Sequence, residues 1–187
     1  MAIATTDIDW YLTGAASDGG VQTNPNLSFG GYRAASEITS AAASNVFDDV
    51  SGAEASAGDT EYRCICVRNN HATLTLYNPA VYVNATTGTT DDTISFAVEV
   101  PTGGDTNGTC QTIGGESTSP TVNSGNCGNW STATTKLAGQ TLNIGSHDTN
   151  LDKSEIIYVW LKRVIGAGAA AVADETWTVA IEGDSPQ

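Results

Sequence analysis

Positive charge is scarce in this sequence. Lys and Arg number 7 against 21 Asp and Glu, so the formal net charge is −14. Contact with a phosphate backbone or with anionic lipid requires a basic surface, and this balance provides none. The composition therefore argues against direct nucleic-acid binding and against adsorption to a membrane surface.

Long apolar runs are also missing. No window approaches the roughly 18 to 20 apolar residues that a membrane helix needs. The first residues, MAIATTDIDW, have neither the basic nor the apolar region of a secretory signal. We therefore expect no membrane contact, and a protein that is made and kept in a cytoplasm until it is assembled or released.

Catalytic motifs are sparse. The sequence has two histidines, His71 and His147, and no G-x-S-x-G elbow, whereas nucleophilic hydrolysis usually needs a histidine base beside its nucleophile. A catalytic pair of carboxylates, as in glycosidases, stays an open alternative. The 21 acidic residues give many pairs, and only the fold decides which of them are close. The sequence predicts a protein that is not an enzyme and that needs no cofactor.

What the sequence does contain is a series of short segments rich in β-branched and aromatic residues, separated by turn-forming residues. With 187 residues and only one Met, this pattern predicts an all-β protein over residues 1–187, a single-domain β-sandwich that is jelly-roll-like and has long Gly/Ser/Thr-rich loops. Pro79 falls inside one predicted strand and requires a sheet edge or a bulge there. The predicted strands cover residues 7–12, 45–50, 62–68, 73–84, 93–100, 142–144, 156–164 and 176–182.

Two regions depart from the strand pattern. Residues 1–44 are rich in Gly, Asn and Pro after the first strand and are expected to form a partly extended N-terminal arm, with marginal helix potential at 36–43. Residues 102–135 form an elaborated loop region of Gly, Ser, Thr and Asn. The strand at 156–164 is apolar on both faces, which indicates a central strand covered on both sides. We expect a neighbouring subunit to supply the second cover.

The four cysteines do not have zinc-site spacing. Cys64 and Cys66 lie two apart on one strand, roughly 7 Å from each other, and are expected to be buried thiols. Cys110 and Cys127 bracket 16 mostly polar residues, so a disulfide between them would stabilise the loop by roughly 3 kcal/mol. Free thiols are the alternative, because a chain without a signal peptide meets oxidant only after leaving the cytosol.

One acidic segment resembles a Ca²⁺ loop. Asp148, Asn150 and Asp152 place oxygen atoms at alternate positions, but the Gly and Glu that complete an EF-hand are missing. The pattern favours an acidic turn leading into the next strand, with Ca²⁺ binding as the alternative.

A resemblance to known proteins lies in three stretches of the sequence. They are DIDWYLTGAAS (7–17), NVFDDVSGAEASAGDTEYRCICVRNNHATLTLYNPAVYV (45–83) and IIYVWLKRVIGAGAAAVADETWTVAIEGDSP (156–186). Together they resemble a group of tailed-bacteriophage virion structural proteins. The loop region at 102–135 is not part of the resemblance.

The resemblance implies a capsid decoration or cement protein of the virion, without enzymatic activity. Its partners would be the major capsid protein or other virion proteins, and we expect a homo-oligomer, specifically a trimer. The alternative is a receptor- or glycan-binding module of a phage fibre or tail, using the 102–135 loops. Two segments, 7–12 and 167–171, are expected to contact a partner, and Trp130 is expected to be an exposed anchor in the loop region. The individual contact residues are Trp10, Trp130, Ala167, Gly168 and Ala169.

Overall fold

The computed structural model describes residues 2–87, 91–170 and 176–185. For residues 85–87 it describes the backbone only. The chain forms eight strands, one α-helix and three single 3₁₀ turns in these ranges. None of the helical segments described has the length and apolar character needed to cross a lipid bilayer. The elements are β1 (Ile8–Ala15), β2 (Tyr32–Glu37), α1 (Gly52–Ala57), β3 (Asp59–Asn69), β4 (Tyr77–Thr87), β5 (Asp92–Glu99), β6 (Gln140–Thr141), β7 (Ile156–Ile165) and β8 (Thr176–Asp184), with 3₁₀ turns at Thr5–Asp7, Pro25–Leu27 and Lys136–Ala138.

The strands form two antiparallel sheets. The five-stranded sheet has the order β2-β1-β3-β7-β5, and the three-stranded sheet has the order β6-β4-β8. The longest pairing joins β3 to β7 from Asp59↔Ile165 to Arg68↔Ile156. The predicted all-β sandwich is confirmed.

The main core lies between the two sheets and follows from period-two alternation. In a strand, alternate side chains point to the same face, so every second residue of β3, β5 and β7 enters this core. Each fully buried aliphatic or aromatic side chain contributes about 1.5–3 kcal/mol relative to its exposed state. The central members are Ile65, Val67, Phe96, Val98, Ile157, Val159 and Leu161, facing Val81 and Val83 of β4.

The other face of the five-stranded sheet is also buried. Cys64, Cys66, Tyr158 and Trp160 form a second apolar cluster there, all at 0 % exposure. Two-sided burial of β7 was predicted, but the expected source of the cover is corrected. The residues that pack on this face are Cys110, Ile113, Val122, Cys127 and Trp130, which belong to the chain's own loops.

The N-terminal arm over residues 1–44 is a second correction. β1 lies between β2 and β3 in the larger sheet, and the two strands pair with each other inside the fold. The segment 7–36 is therefore hydrogen-bonded within its own chain and does not extend from the molecule. The marginal helix at 36–43 is absent, since these described residues continue β2 and then form a turn.

Two further local predictions have opposite outcomes. Residues 45–50 form bends and irregular backbone where a strand was expected, and Phe47 packs into the main core from this segment. Asn78 has a positive φ of 46°, and the register of β4 against β8 shifts between Tyr77 and Ala80. The bulge that Pro79 requires is therefore present.

Candidate functional site

The most developed feature of the molecule is the layer of loops that covers the outer face of the five-stranded sheet. We call residues 24–31 and 102–135 the loop layer. Residues 102–135 contain turns and isolated bridges but no strand or helix. Its scattered apolar side chains pack on the sheet, and hydrogen bonds and ion pairs fix the polar residues between them.

Glu99, the last residue of β5, is the main anchor of this layer. The residue is 5 % exposed, and its carboxylate accepts three hydrogen bonds. Trp160 Nε1 donates from β7 at 2.6 Å, while the backbone N and side-chain Nε2 of Gln111 donate at 2.8 and 2.7 Å. Hydrogen bonds to a buried carboxylate are roughly twice as strong as neutral ones, so Glu99 holds the loop at Gln111 firmly against the sheet.

Two further contacts fix the same loops. Tyr158 donates its hydroxyl proton to Gly108 O at 2.8 Å, and burial raises the pKa of Tyr158 above its ordinary value. Ser28 Oγ donates to Cys64 O at 2.6 Å and accepts from Thr13 N at 2.8 Å. The segment before β2 is thereby tied to β3 as well as to β1.

A group of buried charges lies where the loop layer passes beside the start of β3. Arg63 is fully buried, and its Nη2 lies 2.7 Å from Glu116 Oε2 and 3.6 Å from Asp48 Oδ1. Arg163 Nε donates to Glu61 Oε2 at 2.5 Å, and Glu61 is 1 % exposed. Tyr62 N also donates to Glu116 O at 2.8 Å, so this loop runs along the edge of β3.

The chemistry of this group is that of an ion network and not of an acid site. Oxygen atoms of Asp48, Glu61 and Glu116 lie within 4.8 Å of one another, but both guanidinium groups lie among them and balance most of their charge. Burial raises the pKa of Glu61 above its ordinary value, and Arg163 only partly opposes this. The arrangement fixes three chain segments to one another.

A recess opens beside this network at the surface of the loop layer. Its volume is about 520 Å³, and it combines one aromatic ring, that of Phe29, with amide, carboxylate and hydroxyl groups. This mixture suits a polar ligand with an apolar face, such as a sugar. The lining residues are Asn26, Phe29, Asp48, Gly115, Glu116, Ser117 and Thr118.

The four cysteines are buried free thiols, so the expected disulfide between Cys110 and Cys127 is corrected. Cys127 lies in the turn 124–127 that bridges to Glu99 of β5, whereas Cys110 Sγ lies 3.6 Å from Cys64 Sγ on β3. Cys110 therefore packs beside β3 and Cys127 beside β5, and strand β7 lies between these two strands in the sheet. Burial raises the pKa of Cys127 to about 12 and that of Cys64 and Cys66 well above the ordinary thiol value.

The acidic segment at Asp148 forms a turn. Asp148 Oδ1 accepts from Asn150 N at 2.7 Å, and Asp152 Oδ1 accepts from Thr75 Oγ1 at 2.5 Å. Within the part of the chain that the structure describes, Asp148, Asp152 and Glu155 do not bring three ligand atoms within 4.8 Å of one another. These contacts match the acidic-turn interpretation, and Ca²⁺ binding by Asp148, Asn150 and Asp152 stays a prediction.

The aromatic residues expected to contact a partner are less exposed than predicted. Trp130 is half-buried, 5.8 Å from the Tyr62 ring, with Lys162 Nζ 5.1 Å above its own ring. It anchors the loop layer to the sheet and is not a free exposed anchor. Trp10 is half-buried against the main core and lines a recess of about 400 Å³ with Ile8 and Ile38.

The small-residue segment is held by its own chain. Gly168 N and Ala169 N both donate to Ala55 O, at 2.8 and 3.0 Å. Ala167 and Gly168 remain exposed, so the proposed contact there stays a prediction. Residue 171, the end of that contact segment, lies outside the described residues.

The two histidines are in turns. His71 Nδ1 accepts from Thr73 N and Leu74 N, at 3.1 and 2.9 Å. His147 Nδ1 lies 2.8 Å from the carbonyl oxygen of Asp148. Both side chains take part in local turn contacts.

Sequence reasoning missed the anchors of the loop layer. Glu99 ends β5, and Arg63 and Glu61 lie near the start of β3, where charged residues would ordinarily be assigned to solvent. The available signal was the two-sided apolar character of the neighbouring strand at 156–164, because a charge beside such a strand must be buried and paired.

Comparisons with protein-family models, with curated proteins and with solved structures gave no match.

Proposed function

We propose that this protein is a non-enzymatic structural protein of a phage virion, a capsid decoration or cement protein that binds and stabilises the assembled shell. The resemblance of the stretches 7–17, 45–83 and 156–186 suggests this class. The observation that carries the proposal is the loop layer, which is fixed over a rigid sheet by the buried contacts of Glu99, Arg63 and Tyr158.

A fixed layer of loops suits binding to another large protein surface. Association costs free energy for every loop and side chain that must become ordered in the complex. Loops that are already held by buried hydrogen bonds avoid most of that cost, and little rearrangement is then needed on binding. The exposed polar residues of the layer, such as Ser117 and Thr118, are available for hydrogen bonds across the contact.

The proposed mechanism is mass action. A protein that binds the assembled shell but not its separate subunits stabilises the shell by RT ln(1 + [L]/Kd), about 2.7 kcal/mol at a concentration of 100 Kd. Because the chain carries a net charge of −14, the contact surface on the shell is expected to be neutral or basic. The same charge keeps unassembled copies apart.

The test uses purified shells from which accessory proteins have been stripped. Binding is followed by sedimentation, and the temperature of genome release is measured by dye fluorescence. We expect saturable binding in a fixed ratio to the major shell protein and a higher release temperature. Absence of binding, or binding that leaves the release temperature unchanged, would reject the cement role.

A matched pair of variants tests whether the loop layer makes the contact. Thr118 is exposed on the layer, and Thr178 is exposed on β8 of the opposite sheet. Thr118→Arg places a long charged side chain in the proposed contact and should weaken shell binding at least tenfold. Thr178→Arg makes the same chemical change elsewhere and should leave binding within twofold. Equal effects of the two variants would contradict the assignment of the surface.

The second candidate is a receptor- or glycan-binding module of a fibre or tail. The recess beside Phe29 favours it, because an aromatic ring next to amide, carboxylate and hydroxyl groups is the usual composition of a sugar-binding site. Binding of the labelled protein to host cells, with loss of binding in Phe29→Ala, would support this function. A protein that binds stripped shells but not cells would exclude it.

A further inference from the structure

The buried thiols on the loop-layer side of the sheet include one close pair. Cys64 Sγ on β3 and Cys110 Sγ in the loop layer lie 3.6 Å apart, in the hydrogen-bonding range for sulfur. Cys64 is 0 % and Cys110 6 % exposed. Their positions in the sequence differ by 46 residues, so a bond between them would close a long loop.

We propose that Cys64 and Cys110 form a disulfide when the protein meets a low-molecular-weight disulfide such as oxidised glutathione, and that this bond fastens the loop layer to β3. The proposal does not depend on the function proposed above. It replaces the pairing of Cys110 with Cys127 that sequence spacing suggested.

The backbone holds the two residues in place for this bond. Cys110 N donates to Gly31 O at 3.2 Å, and Cys64 N donates to Ser28 O at 2.7 Å, so both residues are tied to the same short segment, 28–31. A disulfide needs an S–S distance of about 2.05 Å. The sulfurs must therefore approach by roughly 1.5 Å, a movement within the range of small side-chain rotations.

The other two thiols are less suited to this reaction. Cys66 is two residues from Cys64 on the same face of β3, roughly 7 Å along the strand. Cys127 is bridged to Glu99 on β5 and makes no hydrogen-bond contact with another sulfur in the described part of the chain. Cys64 is thus the cysteine whose sulfur lies within hydrogen-bonding distance of Cys110 Sγ.

The chemistry balances as two thiol–disulfide exchanges. The Cys110 thiolate attacks one sulfur of the small disulfide, forming a mixed disulfide and releasing one small thiol. The Cys64 thiolate then attacks the Cys110 sulfur and displaces the second small thiol. Two protein thiols are oxidised, the small disulfide is reduced to two thiols, and the protons of the protein thiols pass to the released thiolates.

Burial determines when this reaction is fast. It raises the pKa of Cys64 well above the ordinary value, so little thiolate is present in the closed structure at neutral pH. We therefore expect slow oxidation in the folded state and faster oxidation when the loop layer opens or while the chain refolds.

The experiment must distinguish cysteines that lie on the same tryptic peptide. Trypsin yields the peptide 64–68, which holds both Cys64 and Cys66, and the peptide 69–136, which holds both Cys110 and Cys127. The double variant Cys66→Ala/Cys127→Ala keeps only the proposed pair. The double variant Cys64→Ala/Cys66→Ala keeps only the rival pair.

Each protein is refolded in a buffer of reduced and oxidised glutathione, alkylated, digested and analysed by mass spectrometry. Circular dichroism first confirms that each reduced variant is folded. We expect peptides 64–68 and 69–136 to be linked in the Cys66→Ala/Cys127→Ala variant and in the wild type, with fragmentation of the latter assigning Cys64 and Cys110. The rival variant should be alkylated at both remaining thiols.

A second measurement follows the effect of the bond on the fold. Oxidation should raise the Tm of the wild type and of Cys127→Ala by roughly 5 to 15 °C, and leave that of Cys110→Ala unchanged. A link between Cys110 and Cys127, or a folded Cys66→Ala/Cys127→Ala variant that stays reduced in this buffer, would overturn the proposal.

Discussion

Glu99 shows how much of this structure depends on a single buried side chain. Its carboxylate accepts from Trp160 on the sheet and from two donors of Gln111 in the loop layer. Replacement by Gln keeps the shape but puts an amide NH₂ group where one of these donors points. We expect Glu99→Gln to lower the free energy of unfolding by about 2 kcal/mol, because charged hydrogen bonds are lost and a buried donor is left without an acceptor.

Urea unfolding followed by Trp fluorescence measures this change. The matched control is Asp105→Asn, which removes the same charge at an exposed position of the same loop region and should change stability by less than about 0.5 kcal/mol. If Glu99→Gln were as stable as the control, the three hydrogen bonds would not be what holds the loops.

At the scale of elements, two segments of the loop layer cross at Gly30. This residue has a φ of +87°, and a Cβ added there would lie 2.0 Å from Gln111 O and 3.0 Å from the Trp160 ring. Only glycine allows this crossing. We expect Gly30→Ala to destabilise the protein by more than about 3 kcal/mol and to increase hydrogen exchange in residues 108–118, because the loop must move away from the sheet.

Gly52→Ala is the matched control for this substitution. Gly52 begins α1, and a Cβ there meets nothing within 4 Å. We expect this variant to be more stable than wild type by about 0.5–1 kcal/mol, since Ala loses less backbone entropy in a helix. Unchanged exchange at 108–118 in Gly30→Ala would show that the two segments do not depend on this close approach.

The same scale shows which elements could be predicted from sequence. Strands β5, β7 and β8 were found because β-branched and aromatic residues make up half or more of each, and β3 because such residues recur within it. β2 was missed because YRAASE has no β-branched residue, and it forms through pairing with β1. The cover of β7 was expected from a neighbouring subunit because one face of a sheet in a monomeric sandwich ordinarily faces solvent. The actual cover is the loops of residues 102–135, whose scattered apolar side chains are held on this face by buried hydrogen bonds to Glu99 and Tyr158 that no local pattern reveals.

At the scale of the whole molecule, the buried thiols are expected to make the free energy of unfolding decrease at alkaline pH. Burial raises the pKa of Cys127 to about 12 and that of Cys64 and Cys66 well above the ordinary value. In the unfolded chain these thiols ionise near pH 8.5. Between these limits the native state retains protons that the unfolded state has lost, so this contribution to stability is complete below about pH 8.5 and is lost as pH rises toward 12.

The slope of this loss gives a quantitative prediction. Each thiol that is protonated only in the native state lowers the free energy of unfolding by about 1.4 kcal/mol per pH unit, so three thiols give about 4 kcal/mol per unit once the unfolded thiols are ionised. Urea unfolding from pH 7 to 10.5, with a phosphine reductant to keep the thiols free, measures it. Cys127→Ala should reduce the slope by about one third, whatever its effect on stability at pH 7. A variant with the wild-type slope would mean that Cys127 ionises equally easily in the folded and unfolded chain, and is therefore not buried in the native protein.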